Sequence, residues 1–108
     1  MNFTRVKIVV TVPTSYADEI RDAAGKAGAG KIGAYSYCSF SVKGKGRYLP
    51  AVDAKPYKGK PGKLEAAIEA RIEFTCDMSV TKEVIDAIKK VHPYEEVALD
   101  VYPLQDIS

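Results

Sequence analysis

His92-Pro93-Tyr94-Glu95-Glu96 brings an imidazole, a phenol and two carboxylates within five residues. A histidine with an acid three or four residues away can offer donors to a divalent metal ion, here His92 with Glu95 or Glu96, or the groups for acid/base chemistry. The same residues have a structural reading, in which His92 and Pro93 end a helix, Tyr94 packs on a sheet and the two glutamates face solvent. His92 is the only histidine, and with two cysteines, Cys38 and Cys76, the chain lacks the four Cys/His ligands of a structural zinc site. Both cysteines sit in alternating segments and read as small buried hydrophobes, unpaired in a reducing compartment. No serine or cysteine sits in a recognisable nucleophile elbow, so the chain is expected not to be an enzyme.

A second candidate is electrostatic. Lys43, Lys45, Arg47, Lys55, Lys58, Lys60 and Lys63 face one acid, Asp53, between positions 43 and 63, a local charge of +6. The whole chain carries +2, so the rest sums to −4 and a near-neutral total conceals a basic segment on an acidic body. Gly44-Lys45-Gly46-Arg47 and Gly59-Lys60-Pro61-Gly62-Lys63 could gather backbone N–H groups and cations around a phosphate or carboxylate. The spacing is not that of a P-loop, so nucleotide specificity does not follow. Tyr48 and Tyr57 keep single-stranded nucleic acid in view as a stacking partner, but the acidic remainder argues against it. A solvated loop whose lysines maintain solubility is the plain alternative.

The elements that position these groups are legible from periodicity. Val6, Ile8, Val10 and Val12 alternate as a strand ended by Pro13. Ser15 and Asp18 resemble a capping box, and Ala17, Ile20, Ala24 and Ala27 follow at helical spacing up to Gly28-Ala29-Gly30, with Gly25 costing about 1 kcal/mol inside the helix. Alternation from Ile32 to Val42 predicts a second strand, residues 43–63 a long loop, and Ile68, Ala70, Ile72 and Phe74 a third strand with Glu69, Arg71 and Glu73 opposite. Ser79 caps a second helix bearing Val80, Val84, Ala87, Ile88 and Val91, and Val97–Tyr102 predicts the last strand. The order βαββαβ predicts an α+β, ferredoxin-like fold over residues 4–105, with two helices on one face of a four-stranded antiparallel sheet. The other face is left uncovered, carrying Tyr and Ser from strand two or Glu and Arg from strand three.

With 46% hydrophobic and 28% charged residues the chain is globular rather than disordered. Its apolar runs are too short to span a bilayer, and Met1-Asn2-Phe3-Thr4-Arg5 does not read as a signal peptide, so no membrane association and a cytoplasmic location are expected.

Three stretches carry a family resemblance. His92-Pro93-Tyr94-Glu95-Glu96-Val97-Ala98-Leu99-Asp100-Val101-Tyr102-Pro103-Leu104 resembles the end of the domain inserted in long bacterial members of the NGG1-interacting-factor-like family. Gly28 to Phe40, Gly62-Lys63-Leu64-Glu65 and Arg71-Ile72-Glu73 resemble the same insert, in the same order, from Val6 to Leu104. Tyr37 departs from it, since the insert commonly has His before Cys-Ser-Phe, which weakens a metal site near Cys38. The insert is a ferredoxin-like domain similar to CutA and PII proteins, so the resemblance implies a homo-oligomer, a trimer above all, with the basic segment at the position of the loop through which PII proteins contact partners and with ligands in clefts between subunits. It implies a non-enzymatic regulatory or ligand-sensing module binding a small anionic ligand or protein partner. A CutA-like divalent-metal protein is the alternative, and an accessory partner of a two-metal hydrolase-like core protein a further one. The two-metal core of the long proteins lies in their flanking parts and is not matched here.

Overall fold

Alternation in the first strand places four branched or β-branched side chains on one side of a pleat, which needs a partner surface on that side only. In the computed structural model, which describes residues 3–107, β1 (Arg5–Pro13) lies inside a four-stranded antiparallel sheet with β2 (Phe40–Tyr48), β3 (Glu65–Asp77) and β4 (Leu99–Leu104), in the order β2-β3-β1-β4. Met1, Asn2 and Ser108 lie outside the described residues. The register sets Val6, Ile8, Val10 and Val12 opposite Cys76, Phe74, Ile72 and Ala70. Against that face pack α1 (Ala17–Lys26) through Ile20 and Ala24, and α2 (Thr81–Val91) through Val84 and Ile88. Ile8, Val10, Ile20, Ile72, Val84 and Ile88 are fully excluded from solvent, each stabilising the fold by about 1.5–3 kcal/mol in transfer terms. The fold is the expected α+β, ferredoxin-like βαββαβ, with both helices on one face. Among the described residues no helix is long and apolar enough to cross a membrane.

Several local expectations are corrected. Neither Ser15 nor Ser79 caps a helix: each lies in a one-turn 3-10 helix, Thr14–Tyr16 and Met78–Val80, and the N-cap positions fall to Tyr16 and Val80 without a side-chain bond. The tight turn leaving each strand takes the place of a side-chain cap at the helix entry. Alternation from Ile32 does not make a strand before Phe40. Gly30, Gly33 and Tyr37 all have positive φ (83°, 56° and 59°), which breaks extended backbone. Gly30 donates its N–H to Thr75 O (2.7 Å) and accepts from Cys38 N (2.9 Å), and a Cβ there would overlap the Cys38 backbone. Cys38 is therefore half-buried in a turn, whereas Cys76 is a core residue as expected; both are free thiols.

The strand instead runs on to Tyr48, through Lys43-Gly44-Lys45-Gly46-Arg47. The basic segment is thus not one loop: Lys43, Lys45 and Arg47 are β2 residues, and only residues 49–64 connect β2 to β3. Two-residue alternation survives because Gly44 and Gly46 fall on one face of β2, and Gly46 is the point where the Glu69 side chain approaches so closely that any Cβ would collide with its carboxylate. On the sheet face away from the helices, β3 presents Glu69, Arg71 and Glu73 as expected. The extended β2 presents Phe40 and Val42 in place of the expected Tyr and Ser, both well exposed.

Gly25 shows what the turn at residues 31–39 requires of α1. A Cβ at position 25 would run into the ring of Tyr37, so the helix carries glycine where alanine has the better propensity. Gly25→Ala is expected to destabilise the protein by about 1–3 kcal/mol through overpacking. In a Tyr37→Ala background the same change should become neutral or stabilising by up to about 1 kcal/mol. Urea unfolding of the four variants in this cycle checks the reversal of sign.

Candidate functional site

β4 begins at Leu99, whose partner on β1 is Val10, so the ladder stops one residue short of Thr11. A backbone carbonyl inside a sheet without a donor is costly. Thr11 N–H finds Ala98 O at 3.3 Å, and Thr11 O takes its bond from the His92 ring: Nε2 lies 2.8 Å from it. Pro93 has no N–H to offer and ends α2. The next amide, Tyr94 N–H, turns back onto His92 Nδ1 at 3.1 Å. A carbonyl can only accept and an amide N–H can only donate, so the neutral Nε2–H tautomer is the one that satisfies both. Burial holds the imidazole below its ordinary range, with the Thr11 bond and the Glu69 charge pulling weakly the other way.

Tyr94 carries the chain of contacts from β1 to β3. Its hydroxyl donates to Glu69 Oε2 at 2.7 Å, and burial, then the Glu69 carboxylate, push the phenol well above its usual range. Its ring meets those of His92, Tyr48 and Tyr57 with centroids 5.1, 5.9 and 6.0 Å away, and Tyr57 meets Tyr16 edge-on at 5.9 Å. The 49–64 loop is folded down over this cluster. Tyr48 Oη donates to Lys58 O (2.9 Å), Lys55 N–H to Glu95 Oε1 (2.9 Å), and Gly62 N–H to Pro50 O (2.6 Å).

Between the loop, the β2–β3 hairpin and the 94–98 segment lies a groove of about 650 Å³, on the sheet face away from the helices. Tyr48, Tyr57, Leu49, Pro50 and Val42 form apolar walls, and Glu69 and Arg71 lie in it; Lys45 and Arg47 border it from alternate β2 positions whose side chains leave the opposite face of the sheet. Arg71 uses Nε on Glu73 (3.2 Å), and its two terminal nitrogens have no partner among the described residues. Lys7 holds the other Glu73 oxygen at 3.1 Å and, with Arg71, keeps that carboxyl below the usual carboxylate range.

The residues singled out from sequence are distributed unevenly about this groove. Of the seven basic ones, Lys45 and Arg47 line it; Lys43, Lys55, Lys58, Lys60 and Lys63 do not. Lys55 and Lys58 contribute backbone groups that hold the loop down, and Lys63 N–H closes a turn on Lys60 O. Glu95 and Glu96 line the groove, but His92 does not join them as a metal ligand. Both its ring nitrogens are committed within the chain, and among the described residues no three His, Cys, Asp or Glu side chains come together to hold an ion. Ligation through either ring nitrogen would displace its bond to the Thr11 carbonyl or to the Tyr94 amide. His92 is the C-cap residue of α2 through its backbone N–H, 3.0 Å from Ile88 O, while its ring reaches across to β1. Glu69 and Arg71 were absent from the sequence candidates. Their one signal was the polar alternation of strand three, which does not tell a groove from open solvent.

No protein-family model matches the chain. The fold is of the CutA kind: the structure of the periplasmic divalent cation tolerance protein CutA from Archaeoglobus fulgidus superposes with a TM-score of 0.68, covering 94% of this chain and 85% of that one at 20% identity. Sequence similarity points elsewhere. The chain is 50% identical over 99 residues to the GTP cyclohydrolase 1 type 2 homolog of Bacillus subtilis, covering 92% of this chain and 26% of that protein. The corresponding homolog of Mycobacterium tuberculosis is 41% identical, with 91% and 26% covered. The crystal structure of a Bacillus cereus protein related to NIF3 matches with a TM-score of 0.82 and 45% identity over 96% of this chain and 26% of that one. The chain thus spans about a quarter of the length of the curated relatives it matches, and it is similar to one CutA-like part of NIF3-related proteins.

The His92 arrangement has a measurable consequence. An unfolded chain protonates this imidazole below about pH 6.5, while the folded chain resists, so the unfolded state binds the extra proton. Stability is then lost as pH falls from about 6.5 towards the lowered folded value. His92→Gln keeps a donor for Thr11 O and removes the titration. Denaturant unfolding between pH 7.5 and 5 should show a shallower loss in the variant; equal slopes would remove His92 from this role.

Proposed function

We infer that the chain is a non-enzymatic ligand-sensing module, assembled from copies of itself and taking a small anionic ligand, or the acidic part of a protein partner, in the groove over β2 and β3. The observation that carries this reading is the Arg71 guanidinium, with two terminal nitrogens unpartnered among the described residues, in a groove of ligand size walled by Tyr48 and Tyr57. Catalysis finds no support in the same place. His92 has both ring nitrogens committed, and burial raises the Cys76 thiol and keeps it in the core, which removes these two side chains as a base and a nucleophile. The cyclohydrolase name belongs to relatives about four times as long, and this reading does not extend their activity to the chain.

The assembly we favour is a trimer. Exposed Phe40, Val42 and Tyr102 lie on the sheet face away from the helices, and both β2 and β4 are edge strands. Light scattering is expected to give three times the chain mass of 11.8 kDa; the mass of one chain would end the trimer reading.

For the ligand, calorimetry with inorganic phosphate, pyrophosphate and small dicarboxylates is the test. Binding should weaken roughly tenfold or more on Arg71→Ala, the loss of a charged hydrogen-bonding partner. A combined Lys58→Ala, Lys60→Ala and Lys63→Ala variant should keep it, since those lysines do not line the groove. Loss in the triple variant with retention in Arg71→Ala would move the site to the loop.

A further inference from the structure

Glu69 is 7% exposed, one of two buried polar or charged residues among the described ones, the other being His92. Buried carboxylates are ordinarily paired with a cation or held by several donors, because removing the charge from water is expensive. A carboxylate has about four acceptor positions. Among the described residues Glu69 receives one bond, from Tyr94 Oη to Oε2, and no ion pair; Oε1 lies over Gly46, at a point kept free of any Cβ, and accepts from nothing. The carboxylate lines the groove, so its unused acceptor capacity is presented to whatever enters.

Its surroundings narrow what that would be. The rings of Tyr48 and Tyr94, in tilted contact at 5.9 Å, line the groove at the same place, and aromatic rings in a groove suit a cation or a flat ring. Arg71 lies two residues further along the same face of β3, about 7 Å away along the strand, with its terminal nitrogens open. An acceptor floor and a donor rim at that separation are complementary to a molecule with two unlike ends. An anion alone would leave Glu69 unsatisfied beside it.

We propose that the groove recognises a compact two-ended ligand whose N–H-donating head, a cationic amine or guanidinium or the N–H edge of a heteroaromatic ring, completes Glu69 while its anionic tail meets Arg71. This rests on the groove being the ligand site and specifies the chemistry of the head. Calorimetry would compare arginine (a guanidinium head with a carboxylate tail), guanosine monophosphate (a ring N–H edge with a phosphate tail) and inorganic phosphate (a tail alone). Arginine or guanosine monophosphate is expected to bind more tightly than phosphate, and which of them does so identifies the head. Glu69→Gln should weaken that probe roughly tenfold to hundredfold, as for loss of a charged hydrogen-bond acceptor, and leave phosphate unchanged, while Arg71→Ala weakens all. Glu69→Gln keeps the side-chain shape and an acceptor for Tyr94 Oη, and its melting temperature reports that it is folded. Tyr94→Phe, which removes the phenol and leaves the carboxylate, should retain the probe; a loss equal to that of Glu69→Gln would make Glu69 merely the anchor of Tyr94 and overturn the proposal. Phosphate bound and lost in Arg71→Ala, with neither two-ended probe tighter or both indifferent to Glu69→Gln, would overturn the head while sparing the anion site. Binding of none of the three would overturn both.

Discussion

One imidazole joins the three parts of this structure on which the groove depends. The His92 ring supplies the hydrogen bond that β4 starts too late to give to Thr11, and receives the first amide beyond Pro93. It thereby fixes the direction in which residues 93–98 leave α2. Tyr94 follows from that direction: its hydroxyl reaches Glu69 on β3, and its ring becomes the surface on which Tyr48 and Tyr57 settle. A neutral histidine is essential to this, since a doubly protonated ring would set two N–H groups against each other at Tyr94. The group that looked most like a metal ligand is therefore spent on backbone geometry.

Close approaches that only glycine allows do comparable work at two other places. At Gly46 the backbone of β2 makes room for Glu69, and at Gly25 the helix makes room for the ring of Tyr37. Each substitutes a packing constraint for local propensity, since glycine weakens strands and helices alike. The Lys-Gly alternation of β2 looks like a flexible, solvated loop, yet it is paired along its whole length with β3. Flexible composition and ordered structure coexist because the partner strand, rather than the sequence of β2, supplies the hydrogen bonds.

The electrostatic picture changes in the same way. A +6 segment suggested one basic loop, but the sheet takes Lys43, Lys45 and Arg47 into β2, and the loop uses Lys55 and Lys58 through their backbones. What reaches the groove is a different cation, Arg71 from the strand next door, on the same face as Glu69, while Lys45 and Arg47 border it from β2 positions whose side chains leave the other face. The net charge of a segment counts residues; a site is made by the few that share a face, and that depends on register.

From the residues alone, the element order, the ferredoxin-like class and the buried faces of β1, β3, α1 and α2 were legible, because each is a period of two or 3.6 written locally in apolar side chains. So was the special character of the His92–Glu96 segment. The end of β2, the role of Gly46, the partners of His92 and the pairing of Glu69 with Tyr94 across 25 positions were decided only by the tertiary structure. These depend on which strand lies beside which and where each ladder stops. A hydrogen bond between residues 11 and 92 leaves no periodic trace in either neighbourhood.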